Sequence, residues 1–115
     1  MKGTVFQPLA EDMHPWFIIS DEKNGKVLAV NVTDVHKCPD SPCVLNVGDH
    51  ESIVKKSAVH YYYSQVYAVK KLQKDLVKYC TVFKTPCSKE VMGRIIAGAF
   101  VPDNDLTGKL LDYLR

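Results

Sequence analysis

Arginine is scarce in this chain: two of 115 residues, Arg94 and Arg115, against thirteen lysines. Both lie late in the sequence, so residues 1–68 hold no guanidinium to clamp a phosphate or carboxylate bidentately. Long apolar runs are absent as well. Runs such as Trp16 to Ile19 and Val27 to Val30 fall far short of a bilayer span, so no membrane partner is expected. The six glycines are scattered, which excludes a glycine-rich phosphate loop, and no Gly-x-Ser-x-Gly elbow is present. The start, Met1-Lys2-Gly3-Thr4-Val5-Phe6, lacks the apolar core of a signal peptide. The four cysteines therefore read as reduced thiols, and the expected location is the cytoplasm.

What is present is an ordinary globular composition, 46% hydrophobic and 24% charged, in a length that fits one domain with a real core. The net charge of +2 conceals a segregation. Residues 1–54 carry four lysines against eight acids, residues 55–89 carry eight lysines against Asp75 alone, and the remainder is nearly balanced. A local lysine excess attracts polyanions such as RNA, although a solvated helix face has the same composition.

Gly3 to Phe6 reads as a first strand and Gln7 to Pro15 as a polar loop. Trp16 to Ser20 and Val27 to Thr33 are apolar strands joined by Asp21-Glu22-Lys23-Asn24-Gly25-Lys26, where Asn-Gly signals a hairpin. A loop with two prolines, Asp34 to Pro42, leads to a short strand, Cys43 to Asn46, and a turn, Val47 to His50. Ser57 to Val69, rich in tyrosine and valine, suits one or two more strands. From Val69 the period changes. Val69, Leu72, Leu76 and Tyr79 fall on one helical face and Lys70, Lys74 and Lys78 on another. Ser88 caps a second helix carrying Val91, Met92, Ile95, Ile96 and Ala99. Pro102 to Asp105 breaks it, and Leu106 to Leu114 forms a short last helix. The pattern predicts one α+β domain: a small antiparallel β-barrel over about residues 1–68, followed by C-terminal helices over about 69–115.

Acid–base chemistry at neutral pH needs imidazoles, and His14 and His50 stand at strand ends or turns. Taken singly, each reads first as structural, satisfying loop backbone groups. Asp49 can orient the His50 ring only if Gly48 turns the chain; otherwise it caps the turn itself. His36, Cys38, Cys43 and His50 place four zinc-type ligands within fifteen residues, but without a Cys-x-x-Cys pair, so no metal is assigned. The run Tyr61-Tyr62-Tyr63, with Lys55 and Lys56 nearby, supplies rings to stack bases and cations to hold phosphates. Tyr61, Tyr63, Lys55, Lys56, Lys70 and Lys74 are accordingly the candidate RNA-binding residues.

The ordered segments Gly3-Thr4-Val5-Phe6, His14-Pro15-Trp16-Phe17-Ile18-Ile19-Ser20 and Val27-Leu28-Ala29-Val30-Asn31-Val32-Thr33, then Cys43-Val44-Leu45, Gly48-Asp49-His50 and Ser57-Ala58-Val59, resemble the PemK/MazF toxin superfamily. The resemblance implies an SH3-like β-barrel, often a homodimer, that cleaves single-stranded RNA without metal or cofactor and is held in check by a cognate antitoxin protein. It implies attack by the substrate 2′-OH, leaving a cyclic phosphate. Thr33 stands where the family has its phosphate-binding hydroxyl, and His14 where it has an arginine before proline. The expected catalytic set is His14, Thr33, Asp49 and His50. The alternative is a barrel without catalysis that binds RNA or a protein.

Overall fold

The computed structural model describes residues 1–10, 14–102, 106 and 108–115. The middle of the expected Gln7–Pro15 loop and most of the expected 102–105 break lie outside the described residues. The surest pair of strands forms as the sequence predicts. β2 (Trp16–Ile18) and β3 (Lys26–Asp34) are antiparallel partners, with Trp16, Phe17 and Ile18 opposite Asn31, Val30 and Ala29. Their hairpin closes through a Lys23–Lys26 bridge, with Asn24 at φ 54° and Gly25 at φ 74°. Two consecutive positive φ values are what a tight hairpin matching strand twist requires.

Four more strands complete a curled, antiparallel half-barrel in the order β4-β5-β3-β2-β1-β6. These are β1 (Val5–Pro8), β4 (Val44–Leu45), β5 (Ser57–Ala68) and β6 (Cys80–Val82). The helices are α1 (Val69–Tyr79), α2 (Lys89–Ala99) and a short α3 (Gly108–Leu111). The expectation of a sheet finished by residue 68 with all helices after it is corrected at one point. β6 follows α1 and pairs with β1, Phe6 opposite Val82 and Pro8 opposite Cys80, so α1 is a crossover inside the sheet. Physically, β1 would otherwise be an open edge, and the three residues after α1 satisfy its backbone groups.

Both faces of the sheet are used. Alternation along β3 sends Leu28, Val30 and Val32 to one face, with Phe17, Ile19, Val5, Val59 and Tyr61. There α2 packs through Val91, Met92, Ile95 and Ala99, its first turn capped by Ser88 Oγ accepting from the Val91 N–H at 3.2 Å. Val27 and Ala29 take the opposite face with Phe6 and Ile18, covered by Val69 and Leu72 of α1. Trp16 and Tyr67 pack at the margin of this second cluster.

β5 carries the main irregularity. Asn31 pairs with His60 but Ala29 pairs with Gln65, so residues 61–64 stand opposite Val30 alone. The three-residue excess is odd, so it inverts the alternation. Before it Val59 faces the α2 side, and after it Val66 does.

Candidate functional site

The Gly48-Asp49-His50 turn forms with Gly48 at φ 103°, a conformation open to glycine. Asp49 Oδ2 accepts from the Asn46 N–H at 2.7 Å and from the Arg94 guanidinium at 2.6 Å. Burial alone would raise the Asp49 pKa, but these two donors hold the carboxyl below its ordinary value. Arg94 also faces Glu90 at 3.5 Å, one helical turn earlier. The arginine that seemed remote in the sequence thus reaches back to the sheet, where it fastens α2 to the turn.

His50 is buried between Phe17 and Phe83, whose ring centroids lie 5.4 and 5.7 Å from its own. Its Nε2 is 2.6 Å from the Thr85 carbonyl oxygen, which can only accept, so Nε2 carries the hydrogen. Nδ1 then accepts from the Ser52 N–H at 3.0 Å, with Ser52 Oγ at 2.8 Å. Glu51 Oε1 accepts from the Thr85 N–H at 3.1 Å, so the turn grips the β6–α2 connection from both sides. With both nitrogens engaged inside the core, His50 has a packing task that leaves no atom to reach a substrate proton. Asp49 and His50 both sit on the α2 side of the sheet.

Thr33 lies on the other side of the sheet, and His14 precedes β2 at the same end. The β2–β3 ladder continues past Trp16, since the Val32 N–H donates to the Pro15 carbonyl at 3.0 Å. His14 is the residue before Pro15, and Thr33 the residue after Val32, at the end of this ladder. Next along the face come Trp16, Asn31 and His60, side by side on β2, β3 and β5. α1 covers the half of this face that bears Val27 and Ala29, and the polar half begins at Asn31. Asn31 and Thr33 are only 8% and 5% exposed, whereas His14, Trp16 and His60 are half-buried. The sequence alone assigns no role to Asn31 or His60. The signal that points to them is the period of two on β3, which puts polar Asn31 and Thr33 in line with apolar Val27 and Ala29.

The tyrosine run divides. Tyr61 is buried and its hydroxyl donates to the Ile95 carbonyl at 2.6 Å, which removes it from any surface. Tyr62 and Tyr63 are exposed and gather around His60. Lys55 is engaged with Asp34 at 2.8 Å, and Lys56 is exposed next to it. Lys70 and Lys74 are exposed on α1, where with Lys78 they line a groove of about 480 Å³. α1 starts beside Lys26, seven residues from Thr33, or about 20 Å at the usual strand rise. These lysines form a separate cationic surface rather than a wall of the His14–Thr33 site. His36, Cys38, Cys43 and His50 do not assemble: among the described residues no three His, Cys, Asp or Glu side chains gather as a metal cluster. No described helix is long and apolar enough to cross a membrane.

Compared with protein-family models the chain matches none, and no curated protein is significantly similar to it.

Proposed function

We propose that the chain is a toxin-type endoribonuclease, a divergent relative of the PemK/MazF superfamily on an SH3-like barrel, that cuts single-stranded RNA in the cytoplasm without metal. The observation that supports this reading is the β2–β3–β5 register, which lines up Trp16, Asn31 and His60 on the face that carries Thr33, at the end of the ladder where His14 enters. Two strand spacings, about 10 Å, separate β2 from β5, which is room for a phosphodiester lying over Asn31 and Thr33. His60 takes the proton of the 2′-OH, whose oxygen bonds to the adjacent phosphorus. The bond from phosphorus to the 5′ oxygen breaks, and protonated His14 supplies that oxygen with a proton. The Thr33 hydroxyl and the Asn31 amide donate to the non-bridging oxygens, where charge develops. His60 here takes the part first assigned to His50.

A second reading, an RNA-binding module without catalysis, is favoured by one observation. Arg94 is committed to Asp49 and Glu90, and Arg115 to Asp112, which leaves the phosphorane without a guanidinium. A homodimer and a cognate antitoxin protein remain part of the first reading and not of the second.

The test is incubation of purified protein with varied single-stranded RNAs in excess chelator, followed by analysis of product ends. Cleavage with 2′,3′-cyclic phosphate ends, lost in His14→Ala and Thr33→Val, is the expected result. Folded protein that binds these RNAs without cutting any of them refutes the first reading in favour of the second.

A further inference from the structure

The bulge in β5 has a consequence outside the core as well as within it. Four residues, 61–64, occupy the space opposite Val30, and Ser64 Oγ is buried with no hydrogen-bond partner among the described residues. Turning Tyr61 inward needs no excess residue at all, because Tyr61 already follows Val59 on the same face by ordinary alternation. Besides turning Val66 toward α2, the excess sets residues on the outside. Tyr62 and Tyr63 stand next to each other, 67% and 53% exposed. The Tyr63 ring meets the His60 ring at 4.3 Å and 67° and the Tyr62 ring at 5.5 Å and 64°, while the His60 and Tyr62 rings lie 6.3 Å apart, tilted by 31°. Edge-to-face contacts of this kind fix the rings against one another.

We infer that His60, Tyr62 and Tyr63 form a nucleobase-stacking subsite, which seats one base of a single-stranded RNA next to the His14–Thr33 pair. This rests on the proposed RNA reading and extends it by naming what holds the base. His60 pairs with Asn31, so it is a diagonal neighbour of Thr33 at about 7 Å, close to the span from a base to its own phosphate. Lys56, exposed at the start of β5 and four residues from His60, places a cation about 13 Å along the strand for the neighbouring phosphate. An aromatic cluster flanked by a lysine and a polar face suits an unpaired base better than a protein surface, since stacking tolerates any sequence and the backbone needs a cation.

The test compares an all-2′-deoxy single strand, which the 2′-OH mechanism cannot cut, with the same strand made abasic throughout, by fluorescence anisotropy at fixed salt. Wild-type protein is expected to bind the base-bearing strand at least tenfold more tightly. Tyr62→Leu/Tyr63→Leu abolishes that preference and leaves affinity for the abasic strand unchanged, while Tyr62→Phe/Tyr63→Phe keeps it. Equal wild-type affinity for the two strands overturns the inference, as does a leucine variant that retains the preference. No binding of either strand also overturns it, and leaves the cluster as a protein-docking surface. Because the strand is uncleavable, failure here is distinct from failure of the cleavage reading, which is scored on unmodified RNA.

Discussion

Tyr61 and Gly98 offer a sharp check on the interior side of the bulge. The Tyr61 hydroxyl donates to the Ile95 carbonyl at 2.6 Å, and α2 approaches so closely that a Cβ on Gly98 would lie 2.4 Å from that oxygen. The same Cβ would lie 3.1 Å from the Cys43 Cβ and 3.2 Å from the Tyr61 ring carbon bearing the hydroxyl. Tyr61→Phe removes one buried hydrogen bond and should cost about 1 kcal/mol. Gly98→Ala gains about 1 kcal/mol of helix propensity but forces a contact no real Cβ makes, an overpacking cost of about 3 kcal/mol. Its net cost is therefore about 2 kcal/mol in the tyrosine protein. In the phenylalanine background the 2.4 Å contact is gone, so Gly98→Ala should cost about 1 kcal/mol less there. Urea unfolding of the four proteins measures this coupling directly. Strictly additive costs, or a Tyr61→Phe variant as stable as wild type, would refute the claim that Tyr61 is an anchor between β5 and α2.

Two further outcomes follow from the turn and the loop. His50→Ala removes both ring hydrogen bonds and the packing against Phe17 and Phe83, and should lower stability by about 3 kcal/mol, read by chemical denaturation. The Lys55 ammonium, then the His36 N–H, hold Asp34 down to about 2 from an ordinary 3.8. A depressed carboxylate stabilises the fold above its unfolded pKa and loses that contribution as pH falls through the folded one. The advantage of wild type over Asp34→Asn should therefore be full above about pH 4 and fade toward pH 2, as followed by thermal melts across that range.

Much of the fold is legible in short-range pattern. Asn24-Gly25 marks the hairpin, Ser88 marks the start of α2, and the switch of period at Val69 marks α1 to the residue. β6 is not legible, because three residues after a helix carry no periodicity and form a strand only by pairing with β1. The bulge is hidden for a related reason. Residues 57–68 read as loose alternation, and the excess becomes visible only when β3 supplies the register. The site shows the same division. The place of Thr33 on β3 follows from alternation, whereas the burial of His50 on the α2 side depends on which face each strand presents. Arg94 lies 45 residues from Asp49 in the chain, and no local signal joins them.

The central claim is that the polar half-face bearing His14, Thr33 and His60 is the reacting surface, with His50 a core residue. The most direct measurement is the single-turnover cleavage rate of an RNA strand by wild type, His14→Ala, His60→Ala and His50→Asn, each normalised to folded protein. The account predicts losses of about 10²- to 10⁴-fold for His14→Ala and His60→Ala, and a near wild-type rate for the folded fraction of His50→Asn. A wild-type rate in His60→Ala, with the activity lost in folded His50→Asn, would contradict it.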